Sequence, residues 1–197
     1  MPKGIPLTDE EQQRRRTEIF ASSVDLILDK GFNETSMQEI AEAAGIGKST
    51  LYDYYKNKDE ILVFYFENEI KMITECAREV VRQNTSASAK LRKIMLLHLD
   101  YLMDNKRVFL KLSFEAQRLS FESQDRIQAA RHAYQDLLRN LIEDGVQNKE
   151  FRPVNSLFAA RSIFSLLSLA VFTSRPTGTP EEMLEEALDI LFKGIQG

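Results

Sequence analysis

Turn-forming residues are scarce in this chain: its 197 residues include only 8 Gly and 5 Pro. An all-β fold needs a turn signal roughly every ten residues, and that spacing is missing. The scarcity predicts a few long helices joined by short loops, so the expected fold class is all-α. No alternating strand pattern, internal repeat or low-complexity tract competes with that reading. The length suits one small domain plus a larger one. The 43% hydrophobic and 28% charged content is that of a globular chain rather than a disordered one.

Local signals place the helices. Thr8 and Glu11 make a capping box opening a first helix that runs to about Lys30, with Ile19, Phe20, Val24, Ile27 and Leu28 on its apolar face and Gly31 just beyond it. A second, short helix starts at Thr35 or Ser36 and turns Ile40, Ala41 and Ala44 inward. Gly45-Ile46-Gly47 breaks it after barely two turns. A third short helix follows from Lys48 to about Tyr55. Asn57 caps a fourth, whose buried side is marked by Ile61, Leu62, Phe64, Tyr65, Ile70 and Ile73. With no Gly or Pro between Lys58 and Gln83, this fourth helix is expected to run unbroken. After a polar linker at Asn84–Ser88, further helices are expected at about 87–104, 106–119, 123–148, 154–174 and 180–194.

Two short helices joined by a tight glycine turn inside a three-helix unit form the helix-turn-helix arrangement, here at about 36–55. In a DNA reader, the helix after the turn presents short polar groups and cations at its N-terminal end, where base edges and phosphates lie. Here that end carries Lys48, Ser49 and Thr50. Tyr52 and Tyr54 add phenol hydroxyls able to donate to phosphate oxygens. Lys58 opens the fourth helix, where its ammonium and the helix N-terminal amides both favour an anion. The same pattern also serves purely structural bundles, so spacing alone leaves both readings open. Residues two apart face different sides of a helix, so at least one of Tyr52 and Tyr54 is expected to be exposed.

The run from Thr35 to Leu62 resembles the signature of the tetracycline-repressor (TetR) family. The resemblance rests on Thr35-Ser36 at the start, Ile40-Ala41, and Ala44-Gly45-Ile46 in the turn. Thr50-Leu51-Tyr52-Asp53-Tyr54-Tyr55 on the third helix and Lys58-Asp59-Glu60-Ile61-Leu62 opening the fourth complete it. It implies an N-terminal helix-turn-helix domain at 1–66 and a C-terminal helical effector-binding and dimerisation domain at 67–197. It also implies a repressor that a small molecule releases from its operator. Lys48 and Thr50 then match positions approaching bases and nearby phosphates. Tyr52, Tyr54 and Lys58 match phosphate-contacting positions, and Gln38 matches one near the major-groove edge. Ser36, at the start of the second helix, and Ser49 are grouped with them. Two departures stand out: Gly47 replaces a common Ser and so removes a side-chain cap, and Ser49 replaces a common Gly or Pro and adds a polar group.

Bulk charge does not favour DNA. Residues 1–66 hold 8 Lys and Arg against 12 Asp and Glu, which leaves the whole net charge of −4 in that segment. Affinity must therefore depend on where the few cations sit. The run Arg14-Arg15-Arg16 is either a solvated face or a clamp on the DNA backbone.

In the C-terminal half, the helix at 154–174 is apolar almost all round and the one at 180–194 carries a single apolar stripe. Both are expected to form an isologous homodimer interface. His98, Tyr101, Met103, Phe109, Phe114, Tyr134 and Phe164 are the effector-pocket candidates. Each could equally be plain core, and His98 could be a satisfied core histidine. Two isolated histidines and one cysteine give no metal-ligand spacing and no nucleophile with a base. No metal, cofactor or catalytic residue is expected, and the chain is read as no enzyme. The other classes weighed are an enzyme on a helical scaffold, which would need clustered titratable groups, and an interaction module that has lost DNA binding. The lone Cys76 and an N-terminus without a signal-peptide h-region point to a reducing cytoplasm. The apolar stretch Ser162–Thr173 is too short to span a bilayer.

Overall fold

The computed structural model describes residues 8–195 and shows nine helices and no strand among them. Residues 1–7, read above as carrying no signal peptide, lie outside the described part. The helices are α1 (Asp9–Lys30), α2 (Met37–Ala43), α3 (Lys48–Tyr54), α4 (Lys58–Val81), α5 (Ala87–Asp104), α6 (Lys106–Ala116), α7 (Phe121–Gln147), α8 (Ser156–Phe172) and α9 (Pro180–Ile195). The all-α class holds, and most boundaries fall where local chemistry puts them. Thr8 accepts from the backbone N–H of Glu11 at 3.2 Å, while the Glu11 carboxylate accepts from the Thr8 backbone at 2.8 Å. Helix ends account for the small departures. Beyond Val81 and Ala116 the chain tightens into i→i−3 bonds, Gln83 to Val80 and Leu119 to Ala116, so α4 and α6 stop two or three residues early. None of the described helices is long and apolar enough to cross a membrane.

The chain divides into two compact units, one of residues up to Asn68 with Arg107–Ile127, the other of Glu69–Lys106 with the rest from Gln128. Helix α4 contributes its first half to one unit and its second half to the other.

In the first unit, α1, α2 and α3 close on a core of Ile19, Ile40, Ala41, Leu51, Tyr55, Ile61 and Phe64, all nearly inaccessible to solvent. Each large side chain in such a core adds about 1.5–3 kcal/mol of burial free energy. Ser23 sits inside this packing without penalty because its hydroxyl donates to the carbonyls of Ile19 and Phe20 at 2.9 and 3.1 Å. Ion pairs and hydrogen bonds tie α6 and the start of α7 to the same unit: Arg107 to Asp29 at 2.9 Å, Lys111 to the Leu28 carbonyl, and Asn33 to Glu115 at 2.8 Å.

In the second unit, α5 buries Leu91, Ile94, Met95, His98, Leu99 and Leu102. It packs on α8 and α9, which also pack on each other. Arg92 on α5 pairs with Glu185 on α9. Helix α8 hides Ala159, Ala160, Ile163, Leu167, Ala170 and Val171 but leaves Phe158 and Leu169 more than half exposed, as is Ile190 on α9.

Candidate nucleic-acid interface and effector cavity

The turn between α2 and α3 is a Schellman motif. The Ile46 N–H reaches the Ala41 carbonyl and the Gly45 N–H reaches that of Glu42, both at 3.0 Å. Gly45 takes φ +65°, a left-handed conformation in which a side chain would be strained. Ile46 packs back on the core, fixing the direction in which the chain leaves. Helix α3 therefore starts at a set angle, with Gly47 as an N-cap that offers no side chain. Leu51 anchors α3 from below at 0% exposure, while Lys48, Ser49, Thr50 and Tyr52 stand out to solvent. Tyr54 is half-buried against the core, so Tyr52 is the freer tyrosine.

Helix α2 is fixed by its own capping box. The Ser36 hydroxyl accepts from the Glu39 backbone at 3.2 Å and donates to its carboxylate at 2.8 Å. Lys30 approaches Glu39 at 2.5 Å, and this pairing, with the Ser36 backbone and hydroxyl, holds the Glu39 carboxyl down at about 2. Ser36 is thus a cap first. Gln38 is exposed, and its amide donates to Glu42 at 2.7 Å.

Lys58 departs from expectation. Its ammonium donates to the carbonyls of Phe32, Asn33 and Thr35 at 2.7, 2.8 and 3.1 Å, and lies 4.8 Å from the Phe32 ring centroid. An ammonium has three donors, so this one is spent on closing the loop between α1 and α2. The arginine run divides as well. Arg14 and Arg15 pair with Glu18 on the solvated face of α1. Arg16 turns inward, its guanidinium 4.7 Å and 4.3 Å from the ring centroids of Tyr55 and Phe64. Beyond it, Arg126 grips Glu67 at 2.9 and 3.0 Å and Glu60 at 2.8 Å. Sequence reasoning missed this network because its members lie far apart along the chain.

The second unit holds a cavity of about 180 Å³. Its walls are Met72, Ile73, Cys76 and Ala77 from α4 and Ile94, Leu97, His98 and Tyr101 from α5. His98 is 7% exposed, and its Nδ1 lies 3.3 Å from the Tyr134 hydroxyl. Burial depresses its pKa to about 4, so the ring is neutral at pH 7. Tyr134 and Phe164 stack edge-on around it, with centroids 5.5 and 6.0 Å from the imidazole. Of the sequence candidates, His98 and Tyr101 line the cavity and Tyr134 and Phe164 back it. Phe109 and Phe114 do not join them. Both lie in the first unit, Phe109 against the ring of Phe66 at 6.2 Å and Phe114 67% exposed. Helical spacing supplied them as aromatics but could not say which unit α6 would join. The cavity wall from α4 was missed; its signal was the i, i+1, i+4, i+5 set Met72, Ile73, Cys76 and Ala77 facing one way. No group of three or more metal-ligating side chains occurs among the described residues.

Comparison with known proteins agrees with this arrangement. Residues 19–63 match the model of the bacterial regulatory proteins of the tetR family, and residues 84–195 match the tetracyclin repressor-like C-terminal domain. The fatty acid metabolism regulator protein of Bacillus subtilis is 23% identical over 164 residues, 83% of this chain and 84% of that protein. The crystal structure of PfmR, a TetR family regulator from Thermus thermophilus, matches with TM-score 0.72 and 26% identity over 89% of this chain and 97% of that one. AibR, in complex with isovaleryl coenzyme A and operator DNA, matches with TM-score 0.70 and 25% identity over 90% and 98% of the two chains. The C-terminal model alone spans more than half of the 197 residues. The chain belongs to the tetR family of bacterial regulatory proteins and is a DNA-binding transcriptional regulator.

Proposed function

We propose that this regulator is a homodimeric repressor that leaves its operator when an acyl thioester occupies the cavity between α4 and α5. Residues 1–66 carry DNA recognition, and residues 67–197 carry effector binding and dimerisation. The observation that carries the reading is the start of α3, where Lys48, Ser49, Thr50 and Tyr52 are exposed on a helix whose direction is set by the Schellman turn and anchored by Leu51. Lys48 and Thr50 would face base edges and phosphates, with Gln38, Ser49, Tyr52 and Tyr54 fixing register along the backbone. Two such helices, one from each subunit, have to enter major grooves about 34–36 Å apart. The exposed Phe158 and Leu169 on α8 and Ile190 on α9 supply the apolar face for the symmetric pairing.

The acyl thioester class rests on the isovaleryl coenzyme A held by AibR and on the fatty acid regulator of Bacillus subtilis. Coupling follows from chain continuity. Helix α4 lends Met72, Ile73, Cys76 and Ala77 to the cavity, and the same unbroken helix begins at Lys58, four residues after α3. A ligand that shifts the helix changes the groove spacing, and a differential affinity of about 1–3 kcal/mol suffices for a switch.

Fluorescence anisotropy with duplex DNA from the gene's own upstream region tests the reading. Wild type binds; Lys48→Ala weakens binding and makes the log K against log salt slope shallower by about 0.9, one phosphate's share. Isovaleryl coenzyme A raises the apparent Kd. Unchanged binding in Lys48→Ala overturns the interface. No binding by wild type leaves an interaction module, the class that the net charge of −4 favours.

A further inference from the structure

The cavity between α4 and α5 contains two hydrogen-bond donors without an acceptor and no charge. None of its eight lining residues is Lys, Arg, Asp or Glu. The hydroxyl of Tyr101 is buried and has no hydrogen-bond partner among the described residues. Such an orphan costs about 1–3 kcal/mol, which an acceptor in the cavity would recover. His98 sits one turn earlier on the same face of α5 and also lines the space.

The proton on His98 can be placed by counting donors. Tyr134 is 2% exposed, and its hydroxyl meets only Nδ1 of His98, at 3.3 Å, among the described residues. If Nδ1–H donated to that oxygen, the buried phenol proton would have nowhere to go. If the phenol donates to Nδ1, its proton is satisfied and the ring proton resides on Nε2. Burial, which pushes the Tyr134 hydroxyl well above its ordinary pKa, keeps that phenol protonated and a donor. With Nδ1 turned to Tyr134, Nε2–H is the group His98 leaves for the cavity.

We propose that the cavity selects an uncharged carbonyl compound with a short apolar chain, and excludes the matching free carboxylate. The carbonyl oxygen accepts from Nε2–H of His98 and from the Tyr101 hydroxyl, while Met72, Ile73, Ala77, Ile94 and Leu97 enclose the chain. A carboxylate there would be a buried ion with no counter-charge. The neutral imidazole cannot supply one, since burial holds its pKa near 4. Size limits the chain. An apolar protein cavity of about 150 Å³ accommodates benzene, so about 180 Å³ admits a branched or short acyl group rather than an extended fatty tail.

This inference rests on the cavity being the effector site, and the cavity contains its own reporter. Cys76 is the chain's single cysteine, exposed and part of the wall. The rate at which a chromogenic aromatic disulfide modifies Cys76 in the full-length protein therefore reads occupancy without DNA. The probes are isovaleryl coenzyme A, methyl isobutyl ketone and isovalerate at pH 7. Saturating coenzyme A thioester or ketone is expected to slow modification by about tenfold or more, and isovalerate at the same concentration to leave it unchanged. Tyr101→Phe keeps the ring, removes the orphan, and should weaken ketone protection by about 3–10-fold, one neutral hydrogen bond. Equal protection by isovalerate overturns the proposal. So does unchanged ketone affinity in Tyr101→Phe, or protection by neither neutral compound. If the ketone protects but the thioester neither protects nor releases operator, the acyl thioester reading fails and the carbonyl selectivity stands.

Discussion

Lys58 shows how strongly one side chain's surroundings decide its work. Its three ammonium donors are already matched to three carbonyls of the loop between α1 and α2, and the Phe32 ring lies beneath it. Reaching a phosphate would mean giving up bonds to a charged donor, each of which contributes about 1.5–3 kcal/mol in general. The site is only partly buried, so a discounted loss applies. Lys58→Met is expected to lower the unfolding free energy by about 2 kcal/mol, measured by urea denaturation. It should leave the salt slope of DNA binding unchanged. Lys48 should behave in the opposite way, with little effect on stability and a shallower slope, because it is exposed and has no hydrogen bond or ion pair among the described residues. A flattened slope in Lys58→Met would show that its ammonium reaches the DNA backbone. Arg16 makes the same point from the other side: a charge run read as solvated surface or clamp contains one member sandwiched on two aromatic rings.

At the scale of elements, α7 contains a glycine that helix propensity would condemn. Gly145 lies inside Phe121–Gln147, where replacement by Ala ordinarily stabilises by up to about 1 kcal/mol. Here a Cβ would stand 2.4 Å from Cδ2 of Phe151 and 3.0 Å from Cβ of Ala87. Phe151 is 3% exposed and stacks on Phe192 at 6.4 Å, so its ring has little room to retreat. Overpacking costs about 1–3 kcal/mol, which outweighs the propensity gain. Gly145→Ala is therefore expected to lower the thermal midpoint, and a raised midpoint would show that the Phe151 ring yields. The contrast explains what the sequence made legible. Caps and turns are local: the boxes at Thr8 and Ser36 and the Gly45 turn each act within a few residues, and the helix starts they specify were readable. So was the exposed start of α3, since Leu51 and Tyr55 recur four apart and leave Lys48 and Tyr52 on other faces. The Arg16–Glu60–Arg126 network and the contact of Gly145 with Ala87 join distant segments, and no local pattern encodes them. Phe109 and Phe114 were misplaced for the same reason: helical spacing gives a face but not its partner.

At the scale of the whole molecule, two buried groups in the second unit make acid stability depend on pH in opposite directions. His98 titrates at about 4 when folded because burial penalises its charged form, against an unfolded value of 6.5. Between those values the unfolded chain binds a proton that the folded chain refuses. Its contribution is therefore complete above pH 6.5 and is lost as the pH falls toward 4, a difference of about 3 kcal/mol at the acid limit. Glu69 behaves in the reverse sense. One of its carboxylate oxygens is buried without a hydrogen-bond partner, and desolvation lifts its pKa from 4.5 to about 7. Between these values the folded chain keeps a proton that the unfolded chain has released. That contribution is present below pH 4.5 and is lost as the pH rises through 7. Over the shared window of pH 4.5–6.5 the two slopes oppose each other, so the wild-type curve is flattened there. Glu69→Gln removes one of them. Its unfolding free energy, from urea titrations at fixed protein concentration, should climb more steeply with pH across that window than wild type's. Every other carboxylate is common to both proteins, including Glu39 held at about 2, and cancels in the difference. Parallel curves for wild type and Glu69→Gln would mean that Glu69 is ionised in the folded chain and has a counter-charge or water at its buried oxygen.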